Sequence, residues 1–175
     1  MKILPRLCSD CRGNAAAELA LVAPLLLIIM LGCTELGNYF WNEHTLLKAV
    51  RDGARYAARQ SFTNYNTCAP DPGTDLSSST VGTNTQLIVQ KGSLDSTQPD
   101  LLPNWSTATF KLTCISKTTA GGQTMGGVYQ NNSIGGQLVA VEATLTYRPI
   151  IAVALGFSGV GKQLYAQSQA AVTGI

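Results

Sequence analysis

Glu18 heads a long apolar run. The stretch Arg12 to Pro24 reads R-G-N-A-A-A-E-L-A-L-V-A-P, and from Leu19 to Cys33 every residue is apolar apart from Pro24 and Gly32. A carboxylate inside such a segment is expensive to desolvate and is generally functional. Two kinds of chemistry are open to it. Near lipid headgroups it complements the positive end of a helix. Against another subunit it can pair with a cation, which offsets the desolvation of both charges. The second use needs an amine close by. Cleavage after Gly13 would make one, because Asn14 would become residue one and Glu18 residue five. The fresh α-amino group would then lie at the membrane face, where a neighbouring subunit's carboxylate could meet it.

Other residues invite chemical readings that their surroundings do not support. Cys8 and Cys11 form C-S-D-C, but a C-x-x-C pair needs a second pair or a fold around it to bind metal or cycle redox. Gly156 to Lys162, G-F-S-G-V-G-K, has the skeleton of a phosphate loop. The next residue is Gln163 where the Mg²⁺-binding Ser or Thr belongs, and the segment that follows reads as a strand. His44 is the only histidine; its place on a long helix beside the membrane suits a surface or headgroup residue. No catalytic constellation, metal set or cofactor site emerges. Nucleic acid is not an expected partner either. The formal net charge is +2, all of it supplied by Lys2, Arg6, Arg12 and Asp10 before Gly13.

The elements that must carry Glu18 follow from composition and period. The chain has 175 residues, enough for one domain of ordinary size. Residues 1–13 are a basic leader. Residues 14–60 read as one long helix, with 14–37 its transmembrane half and 38–60 its amphipathic half. Residues 15–37 would reach about 35 Å as a helix, enough to cross a bilayer with some tilt. Pro24 cannot donate to the Ala20 carbonyl, so it loosens or kinks the helix there. Two readings stand for it: a tolerated membrane proline, or a bend that aids packing among other helices. Residues 61–175 are expected to be a β-rich extracytoplasmic domain, with the N-terminus in the cytoplasm. Positive charges flank the span almost equally. The Ser-, Thr-, Asn- and Gly-rich composition of 61–135 decides the orientation, and Cys68 and Cys114 suit an oxidising compartment. Their expected disulfide would be worth about 4 kcal/mol in the chain-entropy model.

Alternation marks the strands. Ala108, Phe110, Leu112 and Cys114 share one face of T-A-T-F-K-L-T-C. Val139, Val141, Ala143, Leu145 and Tyr147 share one face of L-V-A-V-E-A-T-L-T-Y. Leu164 to Val172 is a weaker third candidate, and Thr85 to Lys91 a short one inside the turn-rich 61–106. On the amphipathic half, Lys48, Arg51, Asp52, Arg55 and Arg59 lie opposite Leu46, Val50, Gly53, Ala54 and Ala57. Ala49, Gly53 and Ala57 form a small-residue line that admits a close neighbour, either the chain's own core or a second subunit. Pro149 to Phe157 is nearly all apolar, and is either core or a partner- or membrane-contact loop. The fold class is α+β, a pilin-like long helix packed on a small, mostly antiparallel sheet.

A basic leader, Gly13, four residues, Glu18 and then an apolar helix is the prepilin pattern. The chain further resembles the TadE-like family, pseudopilins of the tight-adherence (Flp) pilus system. Ala17-Glu18-Leu19-Ala20-Leu21, Pro24, Glu35 and Gly53-Ala54-Arg55 carry the resemblance, which covers residues 12–60. Leu19 stands where the family pattern has Phe, and Asn14 where type IV pilins usually begin with an apolar residue. The resemblance implies cleavage by a prepilin peptidase after Gly13. It implies a minor, non-catalytic role beside other pilin or pseudopilin subunits and inner-membrane pilus assembly proteins, in contact with membrane lipid. Two other readings remain open at this level. In one, Met30 to Cys33 is a weak lipobox and Cys33 is lipidated. In the other, an unprocessed single-pass anchor carries an extracytoplasmic domain with hydrolase or binding activity.

Overall fold

A single helix, α1 (Arg12–Ala58), runs from the first described residue of the chain and continues through Pro24 without interruption. The structure, a computed structural model, describes residues 12–117, 126–130, 135–154, 156 and 161–174. The two halves of α1 differ in what covers them. Leu19 to Leu31 expose their large apolar side chains, whereas Leu46, Val50, Ala54 and Ala57 are fully buried. The charged face foreseen on the second half is where the sequence puts it: Lys48, Arg51, Arg55 and Arg59 are exposed and Asp52 is half-buried.

The sheet has four antiparallel strands in the order β1 (Thr74–Asp75), β2 (Thr109–Lys117), β3 (Gly136–Thr146) and β4 (Gln163–Ala171). The three long strands are those that the alternation selects. Register pairs Leu112 with Val141 and Cys114 with Val139 across β2 and β3, and Ala143 with Ala166 across β3 and β4. Their inward side chains, including Leu112, Val141, Leu145 and Leu164, meet the buried stripe of α1 in one core. Each such aliphatic side chain gains about 1.5–3 kcal/mol on burial. The observed class is therefore the expected α+β one, a long helix packed on an antiparallel sheet.

One expected strand is a helix instead. Thr85 to Lys91 lies inside α2 (Thr80–Lys91). Its apolar residues were compatible with alternation, but the ends decide the matter. The Ser79 side chain accepts from the Gly82 amide at 3.0 Å, an N-cap. Gly92 closes the helix at φ 70° and donates its amide to the Ile88 carbonyl. Val81, Thr85 and Val89 then bury one face at helical spacing. The Thr85 hydroxyl is satisfied inside that face by the Val81 carbonyl. The two-residue strand β1 had no signal in the sequence. Asp75 holds it in place by accepting from the Ser77 amide and hydroxyl, while the Ser77 oxygen accepts from the Leu112 amide at 2.9 Å.

The C-terminal end of α1 is fastened from both sides. The Thr173 amide and hydroxyl donate to the Ala58 carbonyl, and the buried Tyr65 hydroxyl donates to the Ala57 carbonyl. These bonds satisfy carbonyls that a helix end leaves open. Cys68 and Cys114 are disulfide-bonded with Cα atoms 5.3 Å apart, which ties the loop after α1 to β2.

Candidate functional site

The first half of α1 projects beyond the sheet domain as an uncovered apolar rod, and Glu18 and Cys33 are both exposed on it. The helix is long and apolar enough to cross a membrane, and none of the apolar window that decides this is buried within the chain. Its internal polar groups are compatible with that use. The Thr34 hydroxyl donates to the Met30 carbonyl at 2.9 Å, so it makes no demand on lipid. Pro24 is exposed on the same rod. Gly13 and Asn14 lie in the helical backbone at its start.

A second carboxylate, Glu35, marks where the rod meets the domain. The residue after β3 is Tyr147, and its hydroxyl donates to the Glu35 Oε1. The Ile150 and Ile151 amides donate to the same carboxylate at 3.2 and 2.8 Å. These amides begin a five-residue helix, α3 (Ile150–Ala154). Asn38, one turn further along α1, donates its side-chain amide to the Tyr147 oxygen at 2.8 Å. Tyr147 also stacks edge-on against Tyr39, with ring centroids 5.2 Å apart, and Lys162 Nζ sits 5.2 Å from the centroid of the Tyr39 ring. Burial, and then its hydrogen bond to the Glu35 carboxylate, push the Tyr147 phenol up to about 12. The cluster is a latch that ties the base of the rod to the end of β3 and the start of α3.

Sequence reasoning noted Glu35 only as a point of resemblance and gave it no role. A signal was present: Glu35 is the first acid after the apolar run, and Tyr147 ends the longest alternating stretch on its buried face. Their pairing, however, links residues 112 positions apart, which no local pattern encodes.

The small-residue line is buried within the chain. A Cβ on Gly53 would lie 2.5 Å from the Val89 Cγ2 and 3.3 Å from the Thr85 Cγ2 of α2, and Ala49 and Ala57 are also buried. At Gly53 the close neighbour is α2 of the same chain. His44 is exposed beside Thr45, Lys48 and Asp52 and hydrogen-bonds to none of them among the described residues. After Lys162 the chain enters β4, not the helix that a phosphate loop requires; residues 157–160 of that stretch lie outside the described residues, as do Cys8 and Cys11. Among the described residues no three His, Cys, Asp or Glu side chains gather as metal ligands.

The projecting rod and the α1 side of the latch, Glu35, Asn38 and Tyr39, lie in one matched segment: residues 13–55 fit the family model for TadE-like protein. Over these residues the chain is TadE-like. The match begins at Gly13 and takes in Glu18, Pro24, Glu35, Ala49 and Gly53. This similarity points to a pilus-associated, pilin-like protein. The sheet and the disulfide lie outside the matched segment. No curated protein and no solved structure gives a match.

Proposed function

We propose that this protein is a minor pilin or pseudopilin of a tight-adherence pilus, a structural subunit rather than an enzyme, cleaved after Gly13 by a prepilin peptidase. The observation that carries the reading is the TadE-like match over residues 13–55, which starts at the cleavage position and includes Glu18 five residues on. In this reading the uncovered half of α1 crosses the inner membrane, with the N-terminus in the cytoplasm and the sheet domain in the periplasm. Cleavage exposes the α-amino group of Asn14. Glu18 of one subunit then pairs with that group on its neighbour, which offsets the desolvation of both charges and sets the axial register. An unpaired Glu18 in lipid is costly, so assembly is favoured over remaining alone.

Lipidation at Cys33 is the less favoured reading, since it would discard half of the TadE-like match. The assembly role of Glu18 is tested by Glu18→Ala in cells. The variant should insert into the membrane as the parent does and fail to co-purify with the other pilus components. Normal co-purification would refute the pairing.

A further inference from the structure

α3 does not bury its apolar side chains. Ile150 is 58% exposed and Val153 42% exposed, although they belong to a stretch that is nearly all apolar. The position of α3 along α1 is set by the Glu35 carboxylate, which accepts from the Ile150 and Ile151 amides. That depth has a consequence. About 20 helical residues traverse the hydrocarbon core of a bilayer, so a span that begins near Ala15 leaves the core near Thr34. Glu35, and α3 with it, then stands at the boundary between acyl chains and headgroups. The neighbours of α3 suit that depth. Phe40 and Trp41, the latter 74% exposed, project from α1 about one to two turns further out, where aromatic side chains collect at membrane interfaces. Arg148 and Lys162 are exposed on either side of α3 in sequence, and long cationic side chains of this kind are favoured at membrane interfaces. An apolar groove lined by Gly32, Leu36, Pro149 and Ala152 opens beside α3, and a mixed one lined by Asn38, Trp41, Pro103, Arg148 and Val153 lies next to it.

We propose that α3, with Phe40 and Trp41, is a second membrane contact that lies in the headgroup–acyl boundary of the bilayer crossed by α1, so that the sheet domain is seated on the membrane rather than held away from it. The proposal rests on the membrane-spanning reading of α1. A short helix lying in the interface plane with its apolar face toward the acyl chains is a recognised way of binding a bilayer. Here it adds a second point of attachment. With the Glu35–Tyr147 latch it fixes the tilt of the domain, where a lone helix would leave the domain free to swivel.

The test is spin-label accessibility in the full chain, reconstituted into vesicles of phosphatidylethanolamine and phosphatidylglycerol. Cys8 and Cys11 are replaced by Ser and Cys33 by Ala, and the Cys68–Cys114 disulfide is kept. Single labels are placed by Ile28→Cys, Ile150→Cys, Val153→Cys and Val128→Cys. All four sites are exposed in the fold, so the substitutions leave the core intact. Collisions with oxygen should exceed those with a water-soluble nickel chelate at 28, 150 and 153, and the order should reverse at 128. Lipid-like values at 28 with water-like values at 150 and 153 would overturn the proposal and leave the spanning helix standing. Low access to both reagents at 150 and 153 would mean that protein covers α3, and would also overturn it. Water-like values at 28 would remove the spanning helix itself, and the proposal with it.

Discussion

The carboxylate of Glu35 accepts a hydrogen bond from the Tyr147 hydroxyl, a bond between residues 112 positions apart that joins the base of the long helix to the end of β3. The same carboxylate accepts two backbone amides, from Ile150 and Ile151. One side chain therefore sets the position of three segments, and its loss should be felt in all of them.

Tyr147→Phe should destabilise the fold by about 1.5–3 kcal/mol, the range for a hydrogen bond to a charged group. Glu35→Gln keeps the shape but exchanges an acceptor-only group for one whose amide faces donors, and should cost at least as much. Hydrogen exchange at the Ile150 and Ile151 amides should speed up in Glu35→Gln and change little in Tyr147→Phe. The alkaline limb carries a second signature. The Tyr147 phenol is raised from its ordinary 10.0 to about 12. A raised value favours the protonated form in the folded state. The latch thus stabilises fully below pH 10 and is lost as the pH climbs through about 12. Phenolate absorbance from Tyr147 should appear only at that upper limit, and the parent should lose stability over the same interval relative to Tyr147→Phe.

At Gly53 α1 lies against α2, and a Cβ there would meet the Val89 Cγ2 at 2.5 Å. Valine is stiff at χ1 in a helix, so it cannot swing clear. Gly53→Val should cost about 1–3 kcal/mol by overpacking, read as a lowered Tm in detergent solution. Adding Val89→Ala should recover part of the loss, because the two residues share one contact. Equal destabilisation with and without Val89→Ala would place the damage elsewhere.

The Cys68–Cys114 bridge closes a loop of 46 residues. Its removal by the double substitution Cys68→Ala, Cys114→Ala should lower stability by about 4 kcal/mol in the chain-entropy account. Denaturant unfolding of the oxidised parent and of this variant measures the difference. The parent treated with a thiol reductant should approach the variant.

The parts of the molecule that the sequence makes legible share one property: each is written in a local period. The apolar run from Leu19, the charged face from Lys48 to Arg59, and the alternation in β2 and β3 each state their environment within a few residues. α2 is not legible in this way, because Thr85 to Lys91 is short and apolar enough to fit either period. The deciding residues, Ser79 and Gly92, lie at the ends of the helix rather than within the stretch. β1 consists of two residues held by Asp75, Ser77 and Leu112, and no two-residue pattern could announce it. In the sequence Glu18 stands out as a carboxylate against apolar neighbours. Glu35 stands out for the same reason, but its role depends on Tyr147 and on the amides of α3. That contact exists only once the sheet has formed.

Everything proposed for Glu18 depends on an amino group being made next to it. The most direct test is the mature N-terminus, read by intact mass of the protein extracted from membranes of cells with and without the prepilin peptidase. The account predicts a chain that begins at Asn14 when the peptidase is present and at Met1 when it is absent. A chain that begins at Met1 in both, or at a lipid-bearing Cys33, would contradict it and leave Glu18 without its partner.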